Sequence, residues 1–408
     1  MIRVRPYLLT ITFIVLLVST YFNLGKFALI VLFCAGVCRF VESRKIVLRR
    51  GCSAKWYALF FAYCFATSIV GIALGNVEAT KLIENICLYV GVPIYIYYFC
   101  LPDSEQSLKK SIKIFRSFVV LTAVYGLVEQ VTKKNLLSQY IKNDAVNWLL
   151  AFEQSRNYQV SSVYLHYNYY GCILVGCYIL LVYFPIKNKF LNRAAMVLVL
   201  EQLFACQSRM SWIAILVILF IQLFNSGRLT NKKARRIIRC SGLVLILLLL
   251  FPSILGKITG FIHARFLNII ANGMNDGSLG QRLGTLLNWN NYFNSRPLQA
   301  VFGSGYQSIG KVYLTKYSYF AGYSTADCLI TIYLVEAGLV GTILLCLFLG
   351  SWLLKEKAKH NVSYYLIVLF LVEGLSLDLI SNYYVFFFLT ASFFLRTNIT
   401  TIGSDNQN

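Results

Sequence analysis

Long apolar runs separated by polar connectors fill most of this chain. The runs are roughly 16–25 residues long, about the length that an α-helix needs to cross the hydrocarbon core of a bilayer. The pattern predicts twelve membrane-spanning helices, near residues 7–22, 27–41, 57–75, 83–100, 114–130, 164–184, 192–206, 210–225, 240–255, 326–350, 363–378 and 380–396. We therefore expect an all-α polytopic membrane protein in which residues 1–408 form one transmembrane domain.

Two connectors are far longer than the others, residues 131–163 and residues 256–323. The longer one carries a single acidic residue, Asp276, and six basic ones: Lys257, Arg265, Arg282, Arg296, Lys311 and Lys316. A polar, cationic segment in an otherwise apolar chain is suited to bind an anion at a membrane surface. We predict that residues 256–323 form the active-site loop.

Composition and charge support the membrane assignment. The chain is 58% hydrophobic and 13% charged, an apolar share too high for a soluble domain. Its net charge of +22 does not indicate nucleic acid, because the basic residues lie in short clusters between apolar runs and form no continuous groove. The clusters instead predict that both termini are cytoplasmic and that both long loops face outward. We interpret the first apolar run, Tyr7–Tyr21, as a span and not as a cleaved signal peptide.

The cysteines and acids predict no metal centre. Most of the twelve cysteines lie within or at the ends of apolar runs. They lack neighbouring His or acidic residues at metal-ligand spacing, so we interpret them as packing residues. The outer connectors hold no acidic cluster with such spacing either. We therefore expect chemistry on that side to proceed without a metal.

Within the active-site loop, Ser278 and Gln281 have the spacing of a capping box, which predicts a helix that runs to about Phe293. One face of this helix would carry Arg282, Leu286, Trp289 and Phe293. Two interpretations stay open: the face binds substrate, or it lies on the membrane or on neighbouring spans while Arg282 reaches lipid phosphates. Further along, Gly303-Ser304-Gly305 either offers backbone N–H groups to a phosphate or is an ordinary turn.

Positions outside the loop add candidate residues. Arg209 lies in a tight outer turn, where a guanidinium is costly unless it is partnered, so it is either functional or reaches the interface. His166 starts the sixth span and either acts as an acid or base or hydrogen-bonds at a helix end. Asp327 begins the tenth span, and Glu336 would lie about 13 Å deeper in the same helix. We interpret Glu336, together with Glu201 and Glu373, as structural partners.

Four stretches together resemble the bacterial O-antigen polymerase and O-antigen ligase superfamily of membrane glycosyltransferases. They are Arg156 with Tyr164-x-His166-x-Asn168, Gln207-Ser208-Arg209, Ser278–Trp289 with Pro297 and Gly303-Ser304-Gly305, and Ser324–Asp327 with Tyr333–Gly341. The ligase branch places a His just ahead of the last stretch, where this chain reads Ala321-Gly-Tyr323. That departure favours the polymerase branch.

The resemblance implies about twelve transmembrane helices in a GT-C-like glycosyltransferase fold with a large periplasmic loop, in the bacterial inner membrane. The donor would be a growing glycan on undecaprenyl pyrophosphate, and the acceptor a repeat unit on a second such lipid. No cofactor is implied. Membrane lipids would surround the protein, and a chain-length regulator and a flippase of the same pathway are candidate protein partners.

In that reaction the charge on the leaving pyrophosphate would be neutralised by Arg282, with Arg209 and Arg265 as the next choices. Asp327 or His166 would accept the proton of the acceptor hydroxyl. The remaining motif residues would bind substrate: Arg156, Tyr164, Asn168, Trp289, Gly303, Gly305, Tyr323 and Glu336.

Three alternatives stay open. A ligase would transfer the glycan to lipid A core. A flippase for the same lipid-linked sugars would show pseudo-symmetric halves or broken helices, and neither is evident in the sequence. A structural scaffold of the assembly complex would not need Arg209 at a costly depth.

Overall fold

The computed structural model describes residues 5–43, 52–100, 105–142, 158–225, 272–320, 326–357, 362–380 and 382–391. Within these ranges the chain is helical and contains no strand. The predicted ninth span, near 240–255, lies outside the described residues. So do the candidate residues Arg156, Arg265 and Tyr323, and the middle of the 131–163 connector.

Among the described residues, eight α-helices precede the cationic loop, and their bounds follow the apolar runs. They are α1 (Arg5–Tyr21), α2 (Gly25–Ser43), α3 (Cys52–Ala73), α4 (Ala79–Cys100), α5 (Glu105–Thr132), α6 (Tyr167–Tyr183), α7 (Lys189–Ala205) and α8 (Arg209–Asn225). After the loop come α9 (Leu329–Glu336), α10 (Gly338–Lys357), α11 (Val362–Gly374) and α12, at 383–391.

Four of the described helices contain a stretch long and apolar enough to cross a membrane. These stretches are Lys55–Ala73, Ala79–Cys100, Gln106–Thr132 and Gly338–Lys355. Shorter apolar helices stand beside them, among them α1, α6 and α11. The chain is therefore a helical membrane protein, as its apolar pattern predicts.

Helix α6 lies at the centre of the bundle. It packs against α5, α7, α8 and α11, and every residue from Tyr170 to Leu181 is buried. A helix that is apolar all round can bury all of its faces only in such a position. The first residues of α6 therefore stand where the surrounding helices converge.

The predicted tenth span is broken, which corrects the expectation of one continuous helix over 326–350. Helix α9 ends at Glu336, and α10 starts at Gly338, whose φ is +70°. A Cβ at Gly338 would lie 2.4 Å from the backbone nitrogen of Gly303, so only glycine fits this contact. The break places Glu336 just before the apolar stretch Gly338–Lys355.

Residues 272–320 fold into a compact helical cap. The cap contains a helical run over 277–287 and the helices Trp289–Ser295 and Pro297–Phe302. Its own small core centres on Tyr292 and Tyr313, whose rings meet edge to face at 5.2 Å. Val335 of α9 belongs to the same core, so burial of apolar surface attaches the cap to the bundle.

Candidate active site

Arg282 lies in a π-helical turn, Gly280–Gly284, inside the helical run of the cap. Its Nε donates to two backbone oxygens, at 3.2 Å to Asp327 and 3.1 Å to Ser376. These acceptors belong to the segment before α9 and the segment after α11. Because a guanidinium is planar, bonds at Nε fix the directions of its remaining donors. π-Helical turns are frequent at functional sites, and here the turn aims Arg282 into the bundle.

The helical run starts at Asp276, not at the predicted capping box. The Oδ1 of Asp276 accepts from the N–H of Leu279 at 2.8 Å, which is the N-cap bond. Gln281 instead bonds to Ser318, and its Oε1 also accepts from the N–H of Phe320. The expected Ser278–Gln281 capping box is therefore wrong. The helical segments reach Ser295, close to the expected end near Phe293.

Asp276 also faces Arg209, the first residue of α8. The Nη1 of Arg209 lies 3.7 Å from Oδ1 of Asp276, and both side chains are partly exposed. The pair joins the outer turn before α8 to the start of the cap. Arg209 and Arg282 are therefore both attached to the helical run 277–287, one through its cap and the other within it.

His166 caps helix α6. Its Nδ1 accepts from the N–H of Asn168 at 3.2 Å, so in the neutral ring the proton is assigned to Nε2. Burial lowers the pKa of His166 to about 4, while the Asp327 carboxylate raises it and the Arg282 guanidinium lowers it. The ring is thus neutral near pH 7 and can donate from Nε2, but its acceptor nitrogen is occupied by the cap. The structure supports the helix-end interpretation of His166 over the role of a base.

Asp327 adopts the left-handed conformation, with φ of +47°, a region that Asp tolerates better than most residues. Its carbonyl accepts from Arg282, and its charge reaches both His166 and Tyr169. Tyr169 donates to the carbonyl of Asp378 at 3.4 Å. The structure therefore brings Arg282, Asp327 and His166 together, as the sequence predicts, and adds Tyr169 and Asp378.

Tyr164 and Glu336 are buried and contact other parts of the fold. Tyr164 is fully buried, its hydroxyl lies 3.0 Å from Thr122 Oγ1, and its carbonyl accepts from Tyr384. Glu336 is buried, and backbone N–H groups of residues 307 and 309 face its carboxyl. These contacts are structural, and the substrate-binding role of both residues stays a prediction.

The Gly303-Ser304-Gly305 turn does not present its N–H groups to a phosphate. The N–H of Ser304 donates to Val335 and Glu336, and the N–H of Gly305 donates to Glu336 at 2.9 Å. The turn thus satisfies carbonyls at the end of α9, as an ordinary turn does, and the substrate-binding role of Gly303 and Gly305 stays a prediction.

Trp289 packs with Phe293 against the core of the cap, their ring centroids 5.4 Å apart. The aromatic stripe predicted on the helix is therefore part of a protein core. Asn168 is buried and contributes its N–H to the His166 cap. The substrate-binding role of Trp289 and Asn168 stays a prediction.

Three residues of this region were not identified from the sequence as site residues: Asp276, Tyr169 and Asp378. Asp276 stands out as the one acid of a cationic loop, a signal that could have suggested a partner for Arg209. Asp378 is an acid at the end of an apolar run, which is also a recognisable signal. Tyr169 has no such signal among the many tyrosines of the chain.

Within the described ranges, no three His, Cys, Asp or Glu side chains converge as a metal site. The ten cysteines of those ranges are free thiols. No family model matches the chain, and no curated protein or solved structure shows significant similarity to it.

Proposed function

We propose that the chain is a surface-polysaccharide polymerase of the O-antigen type. It would transfer a growing glycan from undecaprenyl pyrophosphate to a sugar hydroxyl of a second lipid-linked repeat unit. The bond between the anomeric carbon and the donor phosphate oxygen breaks, and the pyrophosphate leaves with the electron pair. The acceptor oxygen bonds to that carbon and releases its proton.

The observation that carries the proposal is the anchoring of Arg282. Two carbonyls hold its Nε, so the guanidinium is oriented before any ligand arrives. A preorganised cation stabilises charge that develops on leaving oxygens without a cost of reorganisation at that moment. Lysine could not reproduce this, because only the guanidinium has a rigid fork of donors.

Arg209 supplies a second guanidinium at the same helical run. Its partner, Asp276, is a carboxylate 3.7 Å away, so the turn already binds an oxyanion in this conformation. A phosphate group carries the same chemistry with more charge. In our proposal the substrate diphosphate competes with Asp276 for Arg209.

Asp327 is the better proton acceptor of the two candidates. The Nδ1 lone pair of His166 is used by the Asn168 N–H, so His166 contributes an Nε2 donor. The carboxylate of Asp327 is close enough to His166 and Tyr169 to influence both. We propose that Asp327 accepts the proton of the acceptor sugar hydroxyl, and that positioning of this hydroxyl accounts for part of the rate.

One observation favours a second candidate, the flippase for lipid-linked sugars. The chain between α9 and α10 is broken at Gly338, and discontinuous helices are typical of transporters. This break removes one of the two objections to a flippase, and the other, the lack of evident pseudo-symmetric halves in the sequence, remains. The polymerase remains the better candidate because Arg282 and Asp327 lie together at one end of the bundle.

Reconstitution with purified lipid-linked repeat units tests the proposal. A polymerase gives a ladder of products from this one substrate. A ligase gives a conjugate only when lipid A core is added, and a flippase moves the lipid between leaflets without changing its length. Absence of a ladder from well-folded protein would reject the proposal.

A further inference from the structure

A second cationic cluster surrounds Glu84, near the start of α4. Its Oε2 lies 3.5 Å from Lys26 Nζ and 3.5 Å from Lys81 Nζ. Its Oε1 accepts from Gln307 at 2.7 Å and from Tyr383 at 2.6 Å. The Glu84 side chain is 3% exposed, whereas those of Lys26 and Lys81 are 59% and 22% exposed. One buried carboxylate thus holds two ammonium groups at the surface.

The cluster carries excess positive charge. Two lysines against one glutamate leave a net charge of +1. Lys311 is tied to the neighbouring α3–α4 connection by a bond from its Nζ to the carbonyl of Gly75, at 2.6 Å. Glu84 holds both ammonium groups, and that of Lys81 also donates to Gln307 Oε1. The pair therefore differs from isolated surface lysines, whose long side chains lose entropy when they are held in one place.

This cluster is linked to the candidate active site by one short segment. Arg282 donates to the carbonyl of Ser376, and Tyr383 donates to Glu84. Tyr383 lies seven positions after Ser376, so their Cα atoms lie within about 25 Å of each other even for an extended chain. Asp378 lies between them, where its carbonyl accepts from Tyr169.

Charged groups also lie between the lysine cluster and Arg282. Glu336 is close enough to both Asp378 and Lys81 to be influenced by their charges. Polar groups therefore extend from Arg282 through Asp378 and Glu336 to Lys81. Glu336 itself is buried, so this polar connection runs within the protein.

We propose that Lys26 and Lys81, held by Glu84, form a second anion subsite that binds the diphosphate headgroup of the acceptor lipid. This inference rests on the proposed polymerase function, which requires two lipid-linked substrates at once. The acceptor sugars would lie between this subsite and Arg282.

The donor diphosphate and the acceptor diphosphate have different chemical needs, which fit Arg282 and the lysine pair respectively. The donor diphosphate leaves during transfer, and its developing charge calls for the oriented guanidinium fork of Arg282. The acceptor diphosphate stays bonded to its sugar throughout, so it needs only to be held. Lysine ammonium groups bind phosphate as point charges, without the bidentate geometry of arginine.

Binding stoichiometry tests the proposal. The full-length protein in uncharged-lipid nanodiscs is titrated with undecaprenyl pyrophosphate, and we expect two equivalents to bind. The triple variant Lys26→Gln, Glu84→Gln and Lys81→Gln removes the cations without leaving a buried carboxylate unpaired. This variant should no longer bind the second equivalent of undecaprenyl pyrophosphate, because the affinity of the lysine cluster for the diphosphate should fall about tenfold or more. Lys134→Ala, at an exposed lysine outside the cluster, is the matched control and should keep both.

The remaining outcomes separate the two proposals. Two equivalents bound by the triple variant, or one equivalent bound by an unaltered protein that makes a product ladder, would overturn the second subsite and leave the polymerase standing. No diphosphate-dependent binding and no ladder would reject the polymerase itself. Inorganic pyrophosphate and phosphatidylglycerol nanodiscs are the comparison arms. If inorganic pyrophosphate or phosphatidylglycerol occupied the lysine cluster as well as undecaprenyl pyrophosphate does, the assignment of this cluster to a lipid diphosphate would be overturned.

Discussion

Replacing Arg282 is the most informative perturbation, because its guanidinium has two separable roles. Its Nε bridges the carbonyls of Asp327 and Ser376 at 3.2 and 3.1 Å, and its fork would meet the leaving diphosphate. A charged donor such as the Arg282 Nε–H, which the two carbonyls share, contributes roughly 1.5–3 kcal/mol to the free energy of unfolding. Loss of a preorganised donor to a developing oxyanion lowers the rate about 10²–10³-fold. The effect on catalysis should therefore exceed the effect on stability.

We expect Arg282→Ala and Arg282→Lys to insert normally and to lower the rate of ladder formation by at least about 100-fold. Lysine keeps the charge but cannot bridge both carbonyls and present a fork. Arg296→Ala is the matched control, since Arg296 belongs to the same cap and donates within its own turn, to Gln299 at 3.1 Å. The assay is reconstituted polymerisation, with thermal unfolding measured on the same samples.

Two results would refute this reasoning. Long polymer made by Arg282→Lys at the unaltered rate would show that a bidentate fork is unnecessary. An equal loss of rate in Arg296→Ala would show that general destabilisation of the cap explains the effect.

Further predictions concern the fold around the site. Asp276→Ala removes a helix cap and should cost about 1 kcal/mol of unfolding free energy, whereas Asp276→Asn keeps the cap acceptor and should cost less; thermal unfolding compares them. Gly338→Ala should lower the yield of folded protein, since its φ of +70° and the backbone 2.4 Å away exclude a side chain, while Gly350→Ala, with open space around it, should not. The carboxylate of Glu129 accepts from the backbone N–H groups of Ser161 and Ser162. In Glu129→Gln the NH2 group of the new amide would face one of these donors, so the free energy of unfolding should fall by about 1–3 kcal/mol; an unchanged melting temperature of the variant would contradict this. The lowered pKa of His166, about 4, lies below its ordinary value of about 6.5, so the fold favours the neutral ring. The contribution of the neutral His166 ring to the free energy of unfolding is therefore complete above about pH 6.5 and is lost as pH falls toward 4. NMR can follow the ring in the folded protein, and a titration of His166 at pH 6–8 would contradict its assignment as a buried, neutral helix cap.

The helices could be predicted because their signal is local. The length and apolarity of each run decide whether a helix can span a bilayer, and α1 to α8 follow those runs. The break at Gly338 could not be predicted in the same way. Glycine is common and tolerated in membrane helices, and here the reason for the break is a contact with Gly303, far away in sequence.

The candidate site could be predicted in part. Arg209, Arg282 and Asp327 stand out because charged residues are rare near apolar runs. Their partners do not, since the acceptors of Arg282 are backbone carbonyls 45 and 94 residues away. The helix cap was misassigned because Asp and Ser are equally good N-caps, and nothing local decides between Asp276 and Ser278.

The side of the membrane on which the cap lies tests the central claim most directly, because the proposed polymerase would take its donor glycan at the outer face of the membrane. Lys316 is an exposed residue of the cap, and Lys316→Cys introduces a thiol that a membrane-impermeant maleimide can reach. We predict labelling of this variant in cells whose inner membrane is intact, above the level of the unaltered chain. Labelling only after that membrane is permeabilised would place the cap in the cytoplasm and contradict the account.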